Sequence, residues 1–334
     1  MKKVIIFIFI IVLFNFCTKQ NDPQTKDKSH SNVHDDKRFD ISLNFKLGAI
    51  KEYKDVISLS FDSISVSGLS TSLNEELLKF TNNKGLQNAI VKLIQERMVN
   101  ISTVTPNGSA KIETKTTKLT IEDFKLNGNP ILNLVPFAIP LTNENKPFMV
   151  ELSKKGKFNN LADKKEIGEL LGIKKEKFLK EIISLVNGYQ KLPDQKIAVG
   201  ESWEYKIDKN IPLTDLFPKN LHGDGHFTLK LKLKNTLEKV KNEFYYINNK
   251  FDGNIIFNIA INDGNIKLNL SFNGIGNVIL DNNIGLEHSI DVKSTFDLML
   301  SISSMSKHFH EIGNPKIETK GIVTYKLGPK LIKQ

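Results

Sequence analysis

Two histidine pairs, two serines and one cysteine are the residues whose type and spacing could carry chemistry in this 334-residue chain. His308-Phe-His310-Glu311 would put two imidazoles on one face of an extended segment, and His222-Gly-Asp224-Gly-His226 sets a carboxylate between a similar pair. A zinc site needs a third ligand at diagnostic spacing or histidines at i and i+4 of a helix, and neither cluster has these. Polar loop histidines account for both, and no metal site is expected. Ser202, in Gly200-Glu-Ser-Trp, lacks the second glycine of a nucleophile elbow and opens a strand instead of a strand-to-helix turn. Ser304-Met-Ser-Lys307 matches Ser-x-x-Lys, yet no Ser-Asp-Asn or Lys-Thr-Gly accompanies it. There is no phosphate-binding glycine loop and no dinucleotide fingerprint. The expectation is a protein that is not an enzyme and carries no cofactor.

A binding role has better candidates. Asn129 to Leu141 is apolar, yet Pro130, Pro136 and Pro140 keep it from forming a regular helix or a central strand. It reads either as a crossover buried against a sheet or as a lid over an apolar cavity. In the second reading Ile131, Leu134, Phe137 and Ile139 touch a ligand, and such a concave, apolar site suits a lipid or another hydrophobic small molecule.

The chain's only cysteine, Cys17, follows Lys2, Lys3 and the apolar run Val4–Phe14. A bilayer core needs roughly 20 apolar residues, so this run is a secretory signal in length and flanks, not a span. The segment resembles the signal peptide of bacterial lipoproteins, in which diacylglycerol is added to the cysteine sulfur before cleavage. The resemblance implies removal of residues 1–16 and a mature protein that starts at a lipidated Cys17 and reaches a membrane through it. The location it implies is the bacterial cell envelope, the outer membrane ahead of the inner, facing either the periplasm or the exterior. With Cys17 acylated the exported part has no thiol and forms no disulfide, so its fold depends on apolar burial.

The formal net charge is +10, carried almost wholly by lysine, with arginine only at Arg38 and Arg97. A nucleic-acid site would gather arginines and aromatics in a patch. Here lysines are scattered beside carboxylates, as in Lys174-Lys175-Glu176-Lys177, so no nucleic-acid partner is expected.

Residues 17–38 have little to bury and read as a disordered tether. Residues 39–334 read as a β-rich envelope domain, divisible into halves at 39–160 and 161–334. Phe39, Ile41, Leu43, Phe45 and Leu47 alternate with polar residues as a strand does, and a second strand covers Val56–Val66. A helical block follows: Ser72 and Glu75 form a capping box, and Leu86, Ala89, Ile90, Leu93, Ile94 and Met98 recur at helical spacing. Strands return near Ile112–Phe124 and Phe148–Leu152. A second block runs from Asp163 to Asn187, with Phe178, Leu179, Ile182, Ile183 and Val186 on one stripe. From Glu201 onward the pattern is β. Asp252-Gly253, Asn262-Asp263-Gly264, Asn273-Gly274 and Asp281-Asn282-Asn283 with Gly285 read as turns of an antiparallel meander. The fold class expected is mainly β (α+β): a curved antiparallel meander or open half-barrel covered by two amphipathic helical blocks.

Pro193, Ile197, Val199, Gly200, Ser202 and Trp203 match a segment of a group of uncharacterised bacterial lipoproteins, where a proline and Val-Gly-x-Ser-Trp lead from a helix into a C-terminal meander. Beside that resemblance, Gly200 reads as the tight turn and Trp203, the only tryptophan, as its anchor in the core. The layout is similar to LolA-type open-barrel lipoprotein carriers. The function expected is a membrane-anchored lipoprotein that binds a hydrophobic ligand or an envelope partner. The alternative is a surface-exposed interaction protein or adhesin using Lys230, Lys232 and Lys234. Oligomeric state stays open.

Overall fold

The structure, a computed structural model, describes residues 37–80, 88–130, 148–161, 192–212, 225–261, 264–304 and 313–330. In the N-terminal part the elements are β1 (Arg38–Phe39), β2 (Ile50–Leu69), α1 (Thr71–Phe80), β3 (Ala89–Val104), β4 (Ala110–Leu126), β5 (Asn129–Pro130), β6 (Phe148–Leu152) and β7 (Phe158–Leu161). The C-terminal part has β8 (Ile197–Ala198), β9 (Ser202–Pro212), β10 (Gly225–Lys241), β11 (Phe244–Ile261), β12 (Gly264–Asp281), β13 (Leu286–Ser304) and β14 (Gly313–Pro329). The chain is mainly β, and its strands are antiparallel.

Among the described residues, twelve strands form one sheet in the order β7-β6-β4-β3-β2-β14-β13-β12-β11-β10-β9, with β5 on β4. The C-terminal part is thus an up-and-down meander from β9 to β14. Its last strand pairs with the first long strand, Tyr325 opposite Ile57 and Val323 opposite Leu59. That pairing puts strands from both sides of residue 160 in a single sheet.

The sheet is strongly curved, and a short segment shows it. The Leu43 amide donates to the Lys154 carbonyl in the β6–β7 turn, and the Lys46 amide donates to the Ile284 carbonyl in the β12–β13 turn. In a flat sheet those turns would stand six strand spacings apart, ~29 Å at ~4.8 Å each. Three residues reach at most ~11 Å. The sheet must therefore bend until its rim closes on residues 41–46, which lie across one end. Lys155 tightens this closure by donating to Asp40 Oδ1 at 2.5 Å and to the Ile41 carbonyl at 2.8 Å.

Two devices permit the bend. Register shifts interrupt the β2–β14, β3–β4, β10–β11 and β12–β13 ladders, and an extra residue in one strand increases local twist. Glycines on the inward face leave room for aromatic rings. A Cβ on Gly253 would fall 2.3 Å from the Phe272 ring, and one on Gly321 would fall 2.7 Å from the Phe296 ring.

Several sequence expectations need correction. Leu86–Met98 was expected in a helix, but Ala89–Met98 belongs to β3, and Leu86 lies outside the described residues. The inward row of β3 includes Gln95 and Arg97, and these polar residues break the two-residue apolar period that would have marked a strand. The described helix is the ten-residue α1. It begins beyond Ser70, whose carbonyl accepts the Asn74 amide, so Ser72 lies inside the helix and is not its cap. The second expected block, 163–187, lies outside the described residues. The alternating segment 39–47 pairs only at Arg38–Phe39, with β8, and its Ile41 and Leu43 are buried as a plug instead of a strand. Asp252-Gly253 and Asn273-Gly274 lie inside β11 and β12, opposite one another, and Gly253 leaves room for the Phe272 ring instead of reversing the chain. The β10–β11 reversal occurs at Asn242 and Glu243, both at positive φ, as a two-residue type I′ hairpin loop requires.

Candidate functional site

The inward face is where the sheet concentrates its burial. One apolar cluster runs through β2, β3, β4, β6 and β9 to β14, and includes Ile57, Val99, Val150, Leu229, Phe272 and Phe296. Phe61 meets Phe296 edge-on with ring centroids 5.5 Å apart, and Phe251 meets Phe272 at 6.2 Å. A second cluster fills the closed end, where Ile41, Leu43, Leu192 and Ile197 gather with Leu237, Ile247, Val278 and Leu280. Among the described residues no helix is long and apolar enough to cross a membrane. The outward row of β10 carries Thr228, Lys230, Lys232 and Lys234, while Ile90, Ile256 and Met299 are exposed apolar side chains of β3, β11 and β13.

A charged knot interrupts the apolar inward face. Asp55, 2% exposed, accepts from Arg97 Nε at 2.7 Å and from the Tyr325 hydroxyl at 3.0 Å. The Arg97 guanidinium lies 5.1 Å from the centroid of the Tyr53 ring, and the Tyr53 hydroxyl donates to the Glu287 carbonyl at 2.6 Å. Gln95 donates to Thr116 Oγ1 at 2.7 Å on the same side, and Lys51 pairs with Asp281 at 3.1 Å nearby. Burial pushes the Tyr325 hydroxyl far above its ordinary value, with Asp55 adding to the rise and Arg97 opposing it. Burial likewise raises the Glu287 carboxyl, against the pull of Arg97 and Lys51. Tyr325 therefore stays protonated and donates. The knot ties β2, β3 and β14 together through Asp55, Arg97 and Tyr325.

A second polar point lies nearer the closed end. Asn235 and Asn249 face each other across β10 and β11, and are 0% and 4% exposed. Among the described residues both amide atoms of Asn235 and Oδ1 of Asn249 are buried without a hydrogen-bond partner. Sequence reading missed both polar points. The signal was there in part: Arg97 is one of two arginines, and Asn235 falls in the apolar register of Leu231, Leu233 and Leu237.

The residues singled out in the sequence are spread over the molecule. Gly200 takes φ +88° between β8 and β9, and its amide donates to the Leu237 carbonyl at 2.7 Å. Glu201 beside it accepts a forked pair from Arg38 at 2.6 and 3.2 Å and also accepts the Ala198 amide, tying β1 to the β8–β9 turn. Trp203 is half-buried against the closed-end cluster. Ser202 bonds only the Thr236 hydroxyl among the described residues, at 2.8 Å on an exposed surface. His226 is exposed on β10, and its companions His222 and Asp224 lie outside the described residues, as do His308 and His310. Among the described residues no three His, Cys, Asp or Glu side chains are grouped to hold a metal ion. Cys17, Ile131, Leu134, Phe137 and Ile139 also lie outside the described residues. Of the outer lysines, Lys230 faces Asp208 at 3.9 Å and Lys232 faces Glu204 at 3.5 Å.

The chain matches no protein-family model and no curated protein. Among solved structures it is similar to "Crystal Structure of Pseudomonas Aeruginosa OpdK with Vanillate", at 7% identity over 84% of this chain and 98% of that one. The TM-score is 0.15, too low for the likeness to carry an argument about fold or function.

Proposed function

We propose that this protein is an exported, lipid-anchored envelope protein that binds a hydrophobic molecule against the concave inward face of its sheet and performs no reaction. One observation carries the reading. The inward rows of the long strands are mostly apolar, interrupted by Asp55, Gln95, Arg97, Asn235 and Asn249, and the sheet bends around that side. Concave apolar surfaces with a few placed polar groups suit lipids and similar molecules. The Cys17 boundary and the polar stretch after it support attachment to a bacterial membrane. Phe178, Leu179, Ile182, Ile183 and Val186, at helical spacing, are the sequence's candidates to cover the apolar face, together with Ile131, Leu134, Phe137 and Ile139.

Native mass spectrometry of the full exported protein tests this. The expected spectrum has an added mass of several hundred daltons that is lost on denaturation, beyond the acyl groups retained covalently on Cys17. A protein that stays empty when isolated and when offered acyl lipids overturns the binding reading. A Cys17→Ser protein that still pellets with membranes overturns the anchoring.

A further inference from the structure

Among the described residues, Asn235 and Asn249 are buried side chains whose amides lack hydrogen-bond partners at both Asn235 atoms and at Asn249 Oδ1. Their strands alternate strictly, Lys234 and Thr236 facing out and Leu233, Asn235 and Leu237 facing in, so both amides point to the concave side. The rows on either side are apolar: Leu237 opposes Ile247 toward the closed end, and Leu233 opposes Phe251 away from it. Trp203 sits directly across from Asn235 on β9, and Gly276 sits across from Asn249 on β12. An apolar residue at either position would extend the cluster without the desolvation cost of an unpartnered amide. Two such amides side by side, one offering a donor and both offering acceptors, are organised to meet a partner that can both give and take a hydrogen bond.

Charge narrows the partner's chemistry. Along the sheet Asp55 and Arg97 lie at least four strands from Asn249 and already pair with each other at 2.7 Å. A carboxylate or phosphate beside the amides would be desolvated without a countercharge, a cost that neutral amides do not repay. An uncharged hydroxyl bears no such cost.

Resting on the binding reading above, we propose that Asn235 and Asn249 seat the head group of the bound molecule, and that this molecule is an acyl lipid with an uncharged hydroxyl head, of the monoacylglycerol type. One head-group hydroxyl donates to Asn235 Oδ1, and the other accepts from Asn235 Nδ2 and donates to Asn249 Oδ1. The acyl chain runs along the inward row toward Phe251 and Phe272.

The single tryptophan makes the site readable. Full-length exported protein is titrated below lipid aggregation with three probes: 1-monooleoylglycerol, methyl oleate, which lacks a hydroxyl, and oleate at pH 8, which is charged. Trp203 emission should shift with monooleoylglycerol, which should bind at least ~10-fold tighter than either other probe, the worth of roughly one well-made hydrogen bond to a buried group. Asn235→Leu combined with Asn249→Leu should erase that preference by weakening monooleoylglycerol alone, while the thermal midpoint stays level or rises. Should the double variant fail to fold, the probe series on the unaltered protein still decides. Equal affinity for all three probes, tighter oleate, or an unchanged preference in the leucine variant would show the amides to be structural only, leaving the binding reading intact. Absence of binding by all three, by fluorescence and by equilibrium dialysis, would remove both.

Discussion

At the scale of single residues the Asp55–Arg97–Tyr325 knot has the largest consequences. A buried pair costs more when one member is removed than when both are replaced, since a lone charge is left without a partner. Arg97→Met should lower unfolding free energy by roughly 3–5 kcal/mol, and Asp55→Leu with Arg97→Met by clearly less than the two single losses together. Urea denaturation of the three variants gives the comparison, and additive losses would mean that the pair is not coupled. Glu287 supplies a pH test. Burial raises its folded-state pKa above the ordinary 4.5. Both states hold the proton below that value, so nothing is lost there. As pH climbs from 4.5 the unfolded chain ionises first, and stability falls until the folded carboxyl ionises too. Glu287→Gln should therefore gain on the unaltered protein in thermal unfolding as pH rises from 4.5. A difference that is flat in pH would place Glu287 in water.

At the scale of elements, the inward glycines show how strand and ring share space. A Cβ on Gly321 would stand 2.1 Å from the Ser60 carbonyl oxygen of β2 as well as against Phe296, and the backbone cannot yield cheaply. Gly321→Ala should cost about 1–3 kcal/mol by chemical denaturation. Gly328→Ala, which meets nothing within 4 Å in the same strand, should change stability by less than about 0.5 kcal/mol. This strand chemistry also explains which elements were legible. Most of β10 and the flanks of β12 and β13 announce themselves because their inward rows are runs of Leu, Ile, Phe and Val, broken in β10 only at Asn235. β3 hid behind Gln95 and Arg97, and β11 and β12 were cut in two by glycines that look like turns in a one-dimensional reading. The rule that fails at β3 fails where the sheet carries its buried charge.

At the scale of the whole molecule, curvature decides what the inward face can hold. The hydrogen bonds from Leu43 to Lys154 and from Lys46 to Ile284 need the two turns close together. Spin labels at Lys154→Cys and Asn283→Cys, in a protein whose Cys17 is blocked, should report a separation under ~20 Å, against ~29 Å or more for a flat sheet. Ile41→Ala with Leu43→Ala should loosen this closure and cost roughly 2–5 kcal/mol for each truncated side chain. A label distance unchanged in that variant would mean that the sheet holds its bend without the N-terminal plug.

The sequence alone was enough for the antiparallel, β-rich character of the chain. Alternation along a strand and a reversal between strands are local, and local patterns survive in one dimension. It also pointed to Gly200, which takes φ +88°, and to Trp203, which lies half-buried against the closed-end cluster, because positive φ and a large ring leave a residue-level mark. The tertiary structure alone decided that β14 pairs with β2 and joins two meanders into one sheet. It alone brought Asp55, Arg97 and Tyr325 together, and left Asn235 and Asn249 facing inward with, among the described residues, no partner for either Asn235 amide atom or for Asn249 Oδ1. Those facts depend on contacts between residues up to 270 positions apart. Nothing in the neighbourhood of Asp55 in the chain encodes that its partners lie on β3 and β14, because the bending of the sheet, not the order of residues, sets which inward side chains meet.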